Sequence, residues 1–98
     1  MTDLATENQY LELRIKENAA ALHREPPANF GIVTRITKCP RHPAGYQAHL
    51  VAHTAKEYII ESSGTFYSED LMEGFNDALL DLLEKVVCEI EDGYIKGF

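Results

Sequence analysis

The chain has 98 residues, a length typical of one compact domain (residues 1–98), which excludes two domains that each have their own core. Hydrophobic residues make up 45% and charged residues 26%, which gives enough apolar material for a core and too little charge for disorder. The formal net charge of −7 argues against holding nucleic acid or an anionic membrane through overall charge. The acids are concentrated in residues 57–98, which carry eleven acids and two bases, whereas residues 1–56 carry five acids and seven bases.

Cysteine usage and the lack of long apolar runs indicate the compartment. Cys39 and Cys88 are the two cysteines, and no apolar run approaches the roughly 18 residues that suggest a membrane span. No apolar stretch led by Arg or Lys opens the chain, as a secretory signal requires. We therefore expect a cytoplasmic protein that does not engage membranes. Two separate thiols are favoured over a single disulfide, which counting alone leaves open.

The first predicted element is a helix over about residues 7–24. Thr6 and Gln9 have the spacing of a capping box, in which the two side chains accept hydrogen bonds from free backbone amides. Pro26 and Pro27 end the helix because proline provides no amide donor. Between them, one apolar stripe recurs at helical spacing: Leu11, Ile15, Ala19 and Leu22.

Three strands are predicted next, because the apolar pattern changes to a period of two. Their predicted bounds are about 29–38, 46–53 and 57–62. The prolines and glycine of residues 39–45 predict a loop between the first two strands, and residues 54–56 predict a short turn. We expect Tyr58 and Ile60 of the third strand to face the core.

A second helix is predicted over about residues 69–92. Ser68 suits its N-cap, and Gly93 suits a left-handed stop. Its apolar face is wide enough to cover a sheet and comprises Leu71, Phe75, Ala78, Leu79, Leu82, Val86 and Ile90. A short apolar tail of Tyr94, Ile95 and Phe98 follows.

The order α-β-β-β-α predicts an α+β fold, a two-layer sandwich of a three-stranded antiparallel sheet with both helices on one face. The other face of the sheet is then half polar and open to water or to a partner. It would carry Arg35, Gln47, His49, Val51, His53, Ile59 and Glu61.

The most distinctive pattern is a row of carboxylates on the second helix: Asp70, Glu73, Asp77, Asp81, Glu84 and Glu91. Steps of three and four residues place them on one face, about 5–6 Å apart along the axis, similar to successive phosphates of a nucleic-acid strand. Like charges at this spacing destabilise a helix by about 0.2–0.5 kcal/mol per pair. One interpretation is a surface that imitates DNA and occupies a cationic groove, widened by Glu57, Glu61 and Glu69. The other is a solvated helix face that keeps the protein soluble.

Other chemistries are weaker candidates. Residues 26–56 contain four bases and no acid, a weak signal for direct nucleic-acid binding. His49 and His53 would stand about 13 Å apart on a strand, too far for one zinc ion, which leaves Cys39 and His42 as the pair that could converge. No motif frames a nucleophile, so we expect no catalytic residue, no metal and no cofactor.

Three resemblances bear on function. The order α-β-β-β-α resembles double-stranded-RNA-binding domains, but Ser68-Glu69-Asp70 places acids where that family has bases. Residues 58–64 and 70–75 are similar to the last strand and helix of bacterial ribosome-hibernation factors, which implies ribosome binding.

In size, topology and charge the whole chain resembles phage anti-CRISPR proteins. That resemblance implies a non-enzymatic inhibitor in the bacterial host cytoplasm that blocks the DNA-binding groove of a CRISPR effector. A small self-associating module is the remaining alternative.

Overall fold

The structure of the protein, a computed structural model, describes residues 3–40, 42–53 and 57–96, without the side chains of residues 39, 42 and 90–96. In chain order the elements are α1 (Leu4–His23), a 3-10 turn (Pro27–Asn29), β1 (Phe30–Cys39), β2 (His42–Ala52), β3 (Tyr58–Ser62), β4 (Phe66–Ser68) and α2 (Leu71–Lys96). The predicted α+β fold, with an antiparallel sheet flanked by helices, is confirmed. In these residues no helix is long and apolar enough to cross a membrane.

The sheet of the described residues has four strands, one more than the sequence predicts. Its order is β1-β2-β3, and β4 also pairs with β2, so β3 and β4 follow one another along the same edge of β2. Ser63 joins them: its backbone amide donates to the carbonyl of Ala48, and its hydroxyl accepts from the amide of Ala48 at 2.8 Å. The side chain thereby replaces a backbone partner where the ladder is interrupted. The extra strand has three residues, too short for a period of two to be recognised.

Two local predictions in the first half of the chain are wrong. The N-cap of α1 is Asp3 and not Thr6, because the Asp3 carboxylate accepts from the Thr6 amide at 2.8 Å. Arg24 ends the helix in the left-handed conformation, with φ of 56°. The loop predicted over residues 39–45 is mostly strand, since β2 already begins at His42.

The α2 helix also differs from its prediction at both ends. Asp70, and not Ser68, accepts from the first free amides, those of Met72 at 2.8 Å and Glu73 at 3.1 Å. The helix continues through Gly93 to Lys96, so the predicted stop and the separate tail up to Ile95 are wrong. Glycine permits a left-handed stop but does not impose one. Phe98 lies outside the described residues.

The core lies between the sheet and both helices. It is formed by Leu11, Ile15, Ala19, Phe30, Ala48, Leu50, Ala78, Leu79, Leu82 and Val86. A register shift between Leu50 and Val51 of β2 changes which β3 residues face this core: Leu50 pairs with Glu61, whereas Val51 pairs with Ile59. Glu61 therefore lies on the helix side, not on the opposite face as predicted. Ile60 packs against the core as expected, but Tyr58 is exposed, because β3 lies at the edge of the sheet.

Candidate functional site

One line of side chains on α2 points away from the core. It comprises Glu73, Asp77, Leu80, Glu84 and Cys88, all exposed and separated by three or four residues. At about 1.5 Å rise per residue, Glu73 and Glu84 lie roughly 16 Å apart along the helix axis. We call Glu73, Asp77 and Glu84 the acidic stripe. These three members of the predicted row are exposed to solvent.

Two other members of the row bind their own chain. Asp70 caps α2, as described above, and its own amide donates to the Ser68 hydroxyl at 3.1 Å. Asp81 is half-buried, with 26% of its side chain exposed, and accepts from the Gly64 amide at 2.8 Å. Lys85 lies 3.4 Å from the same carboxylate. Asp70 therefore positions the start of α2, and Asp81 holds the middle of α2 against the β3–β4 connection. Their contact with a partner stays a prediction.

An apolar residue that the sequence analysis missed lies between two members of the acidic stripe. Leu80 is 45% exposed and lies between Asp77 and Glu84. With Phe66 of β4 and these acids it lines a shallow groove. An apolar side chain that falls off the core stripe of an amphipathic helix is the sequence signal that would have found it. The groove offers an apolar contact surrounded by carboxylates.

The remaining predicted contact residues do not form one surface. Glu69 is exposed just before α2 and can extend the acidic stripe. Glu57 instead accepts a hydrogen bond from His53 at 2.7 Å and lines a cavity on the sheet face away from the helices. Glu61 faces α2 farther along. The α2 backbone includes residue 91, but the side chain of Glu91 lies outside the described ones. Folding thus separates carboxylates that the sequence analysis grouped.

Glu61 and Glu89 form a carboxyl–carboxylate pair between β3 and α2. Their mutual hydrogen bond, aided by partial burial and by the Glu61 charge, raises the pKa of Glu89 to about 7. The same hydrogen bond lowers the pKa of Glu61, as do the Ser62 amide and the charge of Lys85. Asp81 acts in the opposite direction on Glu61. The two carboxyls therefore share one proton near neutral pH.

This pair predicts a pH dependence of stability. Because the pKa of Glu89 is raised from 4.5 to about 7, its contribution is complete below about pH 4.5 and is lost as the pH rises through 7. The lowered pKa of Glu61 contributes above pH 4.5 and is lost as the pH falls through its folded value. In Glu89→Gln the amide donates to Glu61 at every pH. We expect this variant to be more stable than the parent at pH 8, by about 1 kcal/mol or less, since solvent screens both groups.

Thermal unfolding between pH 5 and pH 8 measures the effect. Glu84→Gln is the matched control, because it removes one exposed carboxylate from the same helix. The parent and Glu84→Gln should lose stability together as the pH rises, while Glu89→Gln stays level. Parallel profiles for all three proteins would contradict the shared proton.

The basic and metal-binding candidates are dispersed. His49 pairs with the Ser62 hydroxyl at 2.7 Å, separately from His53, and Arg35 is exposed on β1. The side chains of Cys39 and His42 lie outside the described ones. Among the side chains that are described, no three His, Cys, Asp or Glu groups converge as a metal site requires. Comparison with family models, curated proteins and solved structures finds no match for the chain.

Proposed function

We propose that this chain is a non-enzymatic binding protein whose acidic stripe occupies a cationic groove of a nucleic-acid-binding complex, in the manner of a DNA mimic. Its most concrete form is an anti-CRISPR protein of the bacterial cytoplasm that blocks target DNA from a CRISPR effector. The observation that carries the proposal is the exposure of three carboxylates along one line of α2, opposite the core. Direct binding of nucleic acid forms no part of it.

The charge on this surface supports a cationic partner. Glu73 and Asp77 are one turn apart, about 6 Å along the axis, and their repulsion destabilises the isolated helix by about 0.2–0.5 kcal/mol. Arg and Lys side chains of a DNA-binding groove would remove that repulsion and form charge-assisted hydrogen bonds. Such contacts accelerate association and weaken as salt is added.

Leu80 adds an apolar contact to the binding free energy, which small counterions in solution cannot provide. Burying the exposed part of this side chain against a partner contributes roughly 1 kcal/mol, which salt does not weaken. Apolar contacts enclosed by charged rims are typical of residues that dominate protein interfaces. The groove between Leu80 and Phe66 thus supports a protein partner in preference to free cations.

Capture of partners tests this proposal. The immobilised protein is exposed to a lysate that contains a CRISPR effector, and the capture is repeated with excess DNA and with raised salt. We expect a nucleic-acid-binding complex that excess DNA displaces and that salt weakens. Recovery of ribosomes, or a mobility shift on RNA, would contradict the proposal and favour the hibernation-factor type of function. Recovery of no partner would leave the acidic stripe as a solvated face.

A further inference from the structure

The sheet face turned away from the helices, here called the outer face, carries exposed apolar side chains. The strand register places Val33 beside His49, Val51 beside Ile59 and Gly45 beside Tyr67. Ile59 is 58% exposed and Tyr67 is 60% exposed. In the described part of the chain both helices pack on the opposite side of the sheet. Between these pairs lies the exposed Arg35, opposite Gln47. The outer face is therefore a surface with apolar ends and a polar middle that its own chain leaves open.

We propose that a second copy of this chain covers the outer face, giving a two-fold symmetric dimer with the two sheets stacked. Sheets pack face to face at a spacing of about 10 Å, with the strands of the two layers about 30° apart. The result is a four-layer arrangement in which helices form both outer layers.

The distribution of charge favours this pairing over others between two copies. Each copy carries a net charge of −7, so most contacts between copies bring acids together. Neither β1 nor β2 contains an acid, and Glu57 is the carboxylate that borders the outer face. Stacking through this face leaves the two α2 helices roughly 30 Å apart, nearly four Debye lengths at physiological salt. Their repulsion is then screened.

The size of the face matches a weak dimer. Strands β1 and β2 have 10 and 11 residues and are about 33 Å long at ~3.3 Å per residue. Three strand positions at ~4.8 Å give a width of about 14 Å, so two copies bury about 900–1,000 Å² in total. This is close to the lower limit for a specific interface. We therefore expect a dimer that dissociates at micromolar concentrations.

The two ends of the outer face complement one another. One end has a cavity of about 290 Å³ lined by Val33, His49, Val51, Glu57, Tyr58 and Ile59. The exposed ring of Tyr67 lies at the other end, beside Gly45, six residues from Val51 along β2. A two-fold axis across the middle of the strands places each Tyr67 over the Ile59 end of the other copy. The ring fills the cavity, and its hydroxyl reaches the polar edge at Glu57.

Sedimentation equilibrium over a concentration series in the micromolar range tests the dimer. We expect the mass to rise from 11.0 kDa toward twice that value with concentration, and to do so equally at high salt. Ile59→Lys should weaken association by at least about tenfold, because it replaces the apolar contact between Ile59 and Tyr67 of the other copy with a cation in each copy. Leu13→Lys is the matched control: Leu13 is 51% exposed but lies on α1, and its variant should still dimerise. Circular dichroism establishes that both variants fold.

A second measurement tests the arrangement of the two copies. With Cys39 and Cys88 replaced by Ser, Ile59→Cys and Tyr67→Cys chains are mixed under mild oxidation. We expect the mixture to form a disulfide-linked pair much faster than either chain alone. A monomer at every concentration, or a dimer that Ile59→Lys leaves intact, would overturn the proposal. Because the sedimentation experiment contains this protein alone, its result is independent of the function proposed for the acidic stripe.

Discussion

Reversing the acidic stripe, by Glu73→Lys, Asp77→Lys and Glu84→Lys together, is expected to weaken binding to the proposed nucleic-acid-binding partner by at least about 100-fold. Each reversal removes an attraction and adds a repulsion of about 1 kcal/mol or more within a cationic groove, and tenfold in affinity corresponds to about 1.4 kcal/mol. The three side chains are exposed, so the fold should remain intact. Asp70 and Asp81 are left unchanged, because their carboxylates hold backbone amides and their loss would confuse binding with folding.

The control variant makes the same change in net charge on a different part of the surface. Glu12→Lys, Glu17→Lys and Glu25→Lys together also raise the net charge from −7 to −1, since each reversal adds two units. These residues lie on or just after α1. The dissociation constant is measured for both triple variants after circular dichroism confirms folding. Equal losses in both would show a general effect of net charge, and no loss in the α2 variant would refute the DNA-mimic function.

Gly74→Ala is expected to destabilise the protein by about 1–3 kcal/mol, although alanine is the better helix former by about 1 kcal/mol. A Cβ atom at this position would overlap the ring of Tyr46. The ring is buried, with 4% exposure, and is held edge-on by Phe75 at 5.1 Å between centroids. The ring therefore cannot move away without disturbing the core. For a domain of this size we expect the melting temperature to fall by roughly 5–15 °C.

Two further proteins isolate the cause. Gly64→Ala is the matched control, because a Cβ there meets its nearest neighbours at 3.7 Å, an ordinary contact. It should change stability by about 0.5 kcal/mol or less. In a Tyr46→Leu background, Gly74→Ala should lose most of its effect, since the obstructing ring is absent. An unchanged or raised melting temperature for Gly74→Ala alone would contradict the close packing of α2 on β2.

The elements of the fold follow from local signals, and their ends do not. Apolar stripes at Leu11 and Ile15, and again along α2, predict both helices because amphipathic periodicity reflects one buried face. Caps are less certain, because several short polar side chains near a helix end can accept the same amides. The rest of the fold determines the backbone geometry at each helix start. That geometry makes Asp3 the N-cap in place of Thr6, and Asp70 in place of Ser68.

The candidate site was predicted in part. Glu73, Asp77 and Glu84 share an exposed face because helical spacing alone places them there. The sequence could not show that Asp81 is held by Gly64, since that contact joins residues 17 positions apart. It also could not show that Glu61 and Glu89 share a proton.

The amino-acid order by itself determined the α+β class, the two amphipathic helices and the separation of acids from bases along the chain, because each depends on composition or on short periodic spacing. Only the tertiary structure decided which carboxylates remain free, which side of the sheet Glu61 occupies and where apolar surface stays exposed. A single register shift between Leu50 and Val51 places Glu61 on the helix side of the sheet, although strict alternation predicts the opposite side. Such a shift is fixed by the packing of distant strands and helices, and no local pattern encodes it.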